Sequence, residues 1–597
     1  MPYAHPFFGT LMPQLKSPFR IKSGLLWALW CLAVGASTAQ TVPSAPPTPP
    51  DAARAAQDAE RIFQQEQQRL LQERERQLRQ RPGSGIDPKS LAVPGVKLPS
   101  LGEKCRDTQQ IVINGAPHFP VSEQQKITAN YLGKCLGVAE IERLLSELTL
   151  WYVGRGFITT RVYLPSQDLS HGRLELLVVE GVVEKISVQD GGRHSVAVSH
   201  VFPGMVGRVL NLRDIEQGLD QINRLASNDA RMQLEPGSQP GGSVIVVANE
   251  PKSRFKFNAS YDNQGTESTG KRQAGLGGSV DNPFGWGDFF SYNHHEALPA
   301  DRARRFSSSD ALSYWLPFGY YSFALNASHS RYASSIVTPA AREFGISGNS
   351  DNASIRLDKV LYRNQKTRFT LAGSLTGKDT KNYLAGELLN VSSRKLSVFD
   401  LDSNLTTAWL GGVLGFDLGY ARGLTQFGAL RDFDNLPDGV PHAQFGKVKY
   451  GVSFSRPFKV AERDLTFSSQ LSGQRAQDTL YGSEQLLIGG IYSVRGFVNT
   501  TYSGDHGYTW RNDLALRLPL QVWHQSAIVK PYLALDHGQV SQKGGNGGSA
   551  SLTGAALGMS VQMGAATWEI FSAKPLKTPS GVRRESASTY FRLAIAI

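Results

Sequence analysis

One arginine and one aspartate of this chain are well suited to act on each other. The arginine is Arg495, in the run Val494-Arg495-Gly496-Phe497. It lies in Tyr481 to Gly504, a stretch too polar and glycine-rich for a strand and so read as a loop. The glycine permits a tight backbone, and the planar guanidinium fork suits a carboxylate. A carboxylate follows downstream at Asp536, in Pro531-Tyr532-Leu533-Ala534-Leu535-Asp536-His537-Gly538. As a strand, this segment puts Leu533 and Leu535 on one face and Tyr532, Ala534 and Asp536 on the other. If the apolar face meets lipid, Asp536 points into a barrel, where a charge needs a partner or water. The bland alternative for Val494 to Phe497 is a surface turn.

Other chemistry is poorly represented. Gly373-Ser374-Leu375-Thr376-Gly377-Lys378 resembles a phosphate loop, but it is one residue short between its glycines and opens no helix. His294 and His295 are neighbours in an expected strand, so they face opposite ways and do not readily share a metal. Neither G-x-S-x-G nor H-E-x-x-H occurs. The sequence therefore implies no enzyme, no catalytic residue, no metal and no cofactor.

The N-terminus sets the compartment. Lys16, Arg20 and Lys22 precede an apolar run from Leu25 to Val34, followed by Ala36-Ser37-Thr38-Ala39-Gln40. This is a signal peptide with small residues at the cut, placed after Ala39. Cys31 lies within the run and Trp30 before it fits a lipoprotein cut site badly, so no lipid anchor is expected. The mature chain keeps two cysteines, Cys105 and Cys135, and export favours a disulfide between them over two buried thiols. No His or further Cys stands at zinc-ligand spacing. The net charge of +12 is scattered through the chain. With export, that argues against nucleic acid and for a polar lumen and anionic lipid head groups.

Residues 1–39 are thus the signal peptide. In 40–82, Asp51 to Arg81 has no Gly or Pro and is rich in helix formers. At about 1.5 Å per residue it would span about 45 Å, with a thin apolar seam of Ile62, Phe63, Leu70, Leu71 and Leu78. Such a helix suits a coiled coil, solvent or a water-filled lumen. Residues 83–104 read as a linker. Two α+β modules follow, 105–182 and 183–251. Each has an amphipathic helix, Val138 to Tyr152 and Leu212 to Leu225, among short strands, one of them Ile158 to Leu164 in the first module.

From residue 252 to 597 the helical period vanishes. Arg254 to Asp262 alternates apolar with polar. Leu514, Leu516, Leu518 and Leu520 alternate with Asp513, Ala515, Arg517 and Pro519, and the last strand repeats the pattern. A soluble sandwich shows the same alternation. The signal peptide, the evenly spaced strands and their aromatic ends favour a transmembrane β-barrel of 16 antiparallel strands.

This order of parts, with Val494 to Phe497 and Asp536-His537-Gly538, resembles the two-partner secretion (TpsB-type) outer-membrane transporters. These are members of the superfamily that joins POTRA modules to a barrel. The haemolysin secretion/activation branch, which includes transporters of contact-dependent inhibition toxins, is the most similar. Its features recur in Cys135-Leu136-Gly137, Gly154-Arg155-Gly156-Phe157, Val179-Glu180-Gly181, Leu210-Asn211-Leu212-Arg213-Asp214 and Asn282-Pro283-Phe284-Gly285-Trp286-Gly287-Asp288. The terminal Ile597 departs from the Phe that ends many outer-membrane barrels. The resemblance implies that Arg495 pairs with Asp536 inside the barrel, that Asp51 to Arg81 plugs the pore, and that the modules face the periplasm of a Gram-negative cell. The partner implied is a large secreted exoprotein: a haemolysin, adhesin or inhibition toxin. An insertase of the same superfamily and a gated diffusion porin are the rival readings. Two modules and a leading helix speak against both.

Overall fold

The computed structural model describes residues 55–66, 68–69, 105–302, 304–337, 343–522, 525–544 and 548–597. The signal peptide, the linker and the remainder of the N-terminal helix lie outside the described residues.

The first module packs a sheet of Gln110–Asn114, Arg173–Val179 and Arg161–Tyr163 against the helices Val121–Thr128 and Val138–Gly154. The long helix buries Ile141, Leu144, Leu148 and Tyr152, its i, i+3, i+4 stripe. Its first turn is closed by Glu140, whose carboxylate accepts from the Gly137 amide at 3.0 Å. A two-stranded ribbon, Arg106–Thr108 with Lys134–Leu136, sits beside Cys105 and Cys135, which are joined in a disulfide. The second module repeats the plan with Val182–Gln189, Gly242–Ala248 and Arg231–Pro236 beneath the helix Leu212–Asn223. Asn211 caps that helix, accepting from the Arg213 amide at 2.9 Å.

Two departures from the sequence reading have simple causes. The helices Val121–Thr128 and Val198–Val201 are too short to show a period. The strand expected from Ile158 to Leu164 is only Arg161–Tyr163, because Ile158 turns away into the core of the second module, where Val153 joins it. A backbone bond from Leu212 N to Gly156 O, 2.8 Å, tightens the same joint.

Sixteen of the remaining described strands, from Phe255–Asp262 to Ser588–Ala596, form a closed barrel, every neighbouring pair antiparallel. Ser588–Ala596 pairs with Phe255–Asp262 to close it. The pleat sorts side chains as expected: Leu533 and Leu535 are 57% and 51% exposed on the outer face, whereas Ala534 and Asp536 are buried on the inner one. Among the described residues no helix is long and apolar enough to cross a membrane.

Two groups of residues fill the lumen. One is the described part of the N-terminal helix, whose Ala55, Ala59, Ile62 and Phe63 pack on the inward-facing Tyr332, Ile336 and Ile346. The other is the long connection between strands Arg463–Ala476 and His506–Val522.

Candidate functional site

That connection folds inward rather than out over the surface. It carries a 3₁₀ turn, Gly482–Glu484, then a small hairpin of Leu486–Ile488 with Tyr502–Gly504. The sequence reading allowed no strand there. The short pair forms because, inside the lumen, its amides and carbonyls need partners and satisfy one another. Its apolar side chains, with Val494 and Phe497, bury against Val540 and Leu552 of the wall.

The structure brings Arg495 and Asp536 together. The arginine Nε and Nη2 donate to the two carboxylate oxygens at 2.6 and 2.7 Å. The Arg495 backbone amide adds a third bond to Asp536 at 3.0 Å. Asp536 is fully buried and Arg495 is 5% exposed. This is the bidentate, charge-assisted fork that suits guanidinium and carboxylate. Nη1, turned away from Asp536, donates to Asp513 of the adjacent strand at 2.8 Å. Arg511 approaches Asp536 from the other side, at 3.9 Å.

Glycines make room for this approach. Gly496 has φ +103°, and a Cβ there would come within 2.6 Å of the Lys574 carbonyl carbon. On the wall, a Cβ at Gly554 would lie 1.8 Å from the Arg495 carbonyl oxygen. The loop backbone therefore lies directly on a strand that has no side chain at the point of contact.

Sequence reasoning missed three further holds. Glu484, at the head of the loop, meets Lys447 at 3.0 Å and also Lys378. Lys378 ends the stretch that resembles a phosphate loop; it lies within strand Thr367–Leu384 and serves as a counter-ion. Glu585, in the connection before the last strand, accepts from the amides of Val498, Asn499 and Thr500, the first and last at 2.8 and 2.7 Å. Burial alone would raise its pKa, but the bonds from Thr500, Val498 and Asn499 outweigh burial and hold it below the usual carboxylate range. Asp513 is the third. The alternation of its strand places Asp513 inward, but nothing in the sequence says that Arg495 reaches it.

The helix touches the loop as well as the wall. Gln64 donates to the Gly482 carbonyl, Gln68 to that of Leu487 at 2.9 Å, and Glu60 pairs with Arg394 at 2.6 Å. Phe63 meets Tyr332 edge to face, 5.1 Å between centroids. His294 and His295 do face opposite ways: His294 binds Asp310 at 2.8 Å, and His295 is buried on the inner face. Among the described residues no group of three or more His, Cys, Asp or Glu could hold a metal ion.

Tandem modules and a closed barrel whose lumen holds an arginine-bearing loop define an outer-membrane protein transporter. The model of the haemolysin secretion/activation proteins ShlB/FhaC/HecB matches residues 241–561, a ShlB-type POTRA model matches 107–181, and a further POTRA model 182–236. The chain belongs to this haemolysin secretion/activation family of two-partner secretion transporters. It is 33% identical over 509 residues to the outer membrane transporter CdiB of Dickeya dadantii (strain 3937), covering 83% of this chain and 88% of that one. It is 31% identical to the hemolysin transporter ShlB of Serratia marcescens over 90% and 92% of the two chains. The solved structure of CdiB from Escherichia coli superposes with a TM-score of 0.80 at 31% identity, covering 93% of this chain and all of that one. The protein thus resides in the outer membrane with its POTRA modules in the periplasm, and it exports a large partner protein.

Proposed function

We propose that the fork between Arg495 and Asp536 holds the inward loop in the position that export requires. The carrying observation is the buried fork itself, which spends three hydrogen bonds of Asp536 on one loop residue. The outer membrane supplies no nucleotide, so the partner's own folding outside would drive export, each folded segment resisting return. The helix Asp51 to Arg81 would close the pore at rest and leave during transport, and the first POTRA module would take the partner in extended form by strand addition. Catalysis plays no part in this scheme. The relatives named CdiB and ShlB favour an inhibition toxin or a haemolysin as the partner.

The test is secretion of the cognate exoprotein by Arg495→Ala. Its passenger in the medium should fall to near zero while transporter in the outer membrane stays at the wild-type level, because no strand is altered. Normal secretion would sink the proposal.

A further inference from the structure

The second POTRA module straddles the barrel wall. On the lumen side, Gln221 of its long helix donates to Ser322 Oγ at 3.2 Å and to Gly319 O at 3.1 Å. Arg363 binds Asp220 at 2.5 Å and Gln217 at 3.2 Å. On the other side lies the short helix Val198–Val201. Its His200 carbonyl accepts from Gly319 N at 2.7 Å. The imidazole stacks on Trp286, 5.9 Å between centroids and 14° between planes, and meets Phe318 edge to face at 6.2 Å.

Which face Phe318 occupies follows from register. Tyr332 faces inward against the plug helix, and Tyr321 is an odd number of residues from it, so Tyr321 faces lipid. Phe318 and Lys359 are the direct cross-strand partners of Tyr321 and share its face. Tyr314 shares the face of Phe318, and Phe284 leans on Tyr314 at 6.0 Å. The result is a continuous belt at the periplasmic end of the barrel: Phe284, Trp286, His200, Phe318, Tyr321 and Lys359. Phe284 is 65% and Phe318 52% exposed. The Lys359 ammonium sits 4.8 Å from the Tyr321 ring centroid. Aromatic rings with an exposed cation beside them are the composition of a membrane interface. Here one ring of the belt comes from a module outside the membrane.

We propose that this belt binds anionic phospholipid of the periplasmic leaflet, in a site that barrel and second module build together. The aromatic rings take glycerol and upper acyl chain, and His200 and Lys359 present N–H donors to phosphodiesters at different points along the belt. The site is incomplete without the module. Its continuity with the lipid-facing wall selects lipid as the occupant, and lipopolysaccharide occupies the opposite leaflet.

The full mature chain in nanodiscs of phosphatidylethanolamine and phosphatidylglycerol provides the test. A polarity-sensitive fluorophore is attached at Ser199→Cys, beside His200, or at Ser238→Cys, in the hairpin turn over Glu184. Cys105 and Cys135 are joined and do not react. Spin-labelled phosphatidylglycerol should quench the label at 199 severalfold more than that at 238; equal quenching overturns the proposal. In native mass spectrometry, Lys359→Gln with His200→Gln should cut the preference for phosphatidylglycerol over phosphatidylcholine severalfold, and an undiminished preference also overturns it. Lys359→Gln alone, which leaves the module's docking untouched, should lose part of that preference and guards against a folding effect.

Discussion

The loop and the helix share one lumen and are held in opposite ways. The loop is tethered at both ends, buries an arginine fork, carries a second charged hold at Glu484 and lays its backbone on Gly554. The described part of the helix has a small apolar face, two amide-to-carbonyl bonds, an ion pair to the wall at Arg394 and a bond from Arg69 to Ser309 of the wall. Buried, hydrogen-bonded charges resist separation strongly, since removing one partner strands the other at a cost of about 3–5 kcal/mol. Neutral hydrogen bonds return about 1 kcal/mol each, and water in the lumen can replace them. Their hold is therefore graded: buried charges at several points fix the loop, and fewer contacts hold the described part of the helix.

Four experiments probe that grading, in falling order of effect. Asp536→Ala should abolish secretion almost as fully as Arg495→Ala. The double mutant should be little worse than either single, because both delete one interaction. Lysine at 495 should restore little, having no fork. Clean additivity of the two losses in a secretion assay would break the assignment. Next, Glu484→Gln removes the charge between Lys378 and Lys447; export should fall severalfold without being lost, since the fork remains. Accessibility of a cysteine placed at Ser483 should rise in parallel. Third, Phe63→Ala with Glu60→Gln loosens the helix through its own side chains alone. Conductance in planar bilayers should rise while export stays near normal; an unchanged conductance would mean the helix is not weakly held.

The smallest effect belongs to Glu585. Its folded pKa is depressed, so its grip on Val498 to Thr500 is fully present above the ordinary carboxylate pKa of about 4.3 and is lost as pH falls through the lower folded value. Glu585→Gln should thus loosen the 498–500 segment at neutral pH, seen as faster proteolysis there, and should flatten the acid dependence below the ordinary carboxylate range.

Much of this architecture is legible in sequence because a barrel writes a period of two. Leu533 and Leu535 against Ala534 and Asp536 suffice to say which residue faces inward. The fork needed one more ingredient, the Val-Arg-Gly-Phe run, and the family resemblance carried it. Glu484 with Lys378 was not legible. The two lie 106 residues apart, on elements that meet only once the sheet has closed, and Lys378 stood in a run suggesting another chemistry. Glu585 was hidden for a similar reason: it binds backbone amides, which carry no side-chain signature. The short helices Val121–Thr128 and Val198–Val201 complete fewer turns than a periodicity needs to be seen.

The joint between the two POTRA modules has a mechanical consequence. Val153 and Ile158 of the first are set in the core of the second, and Arg363 of the barrel is clamped by Asp220 and Glu216 of the second. Both joints are made of packed and paired side chains. Were the far module to grip a chain, a tug on that chain would reach the barrel rim through these contacts.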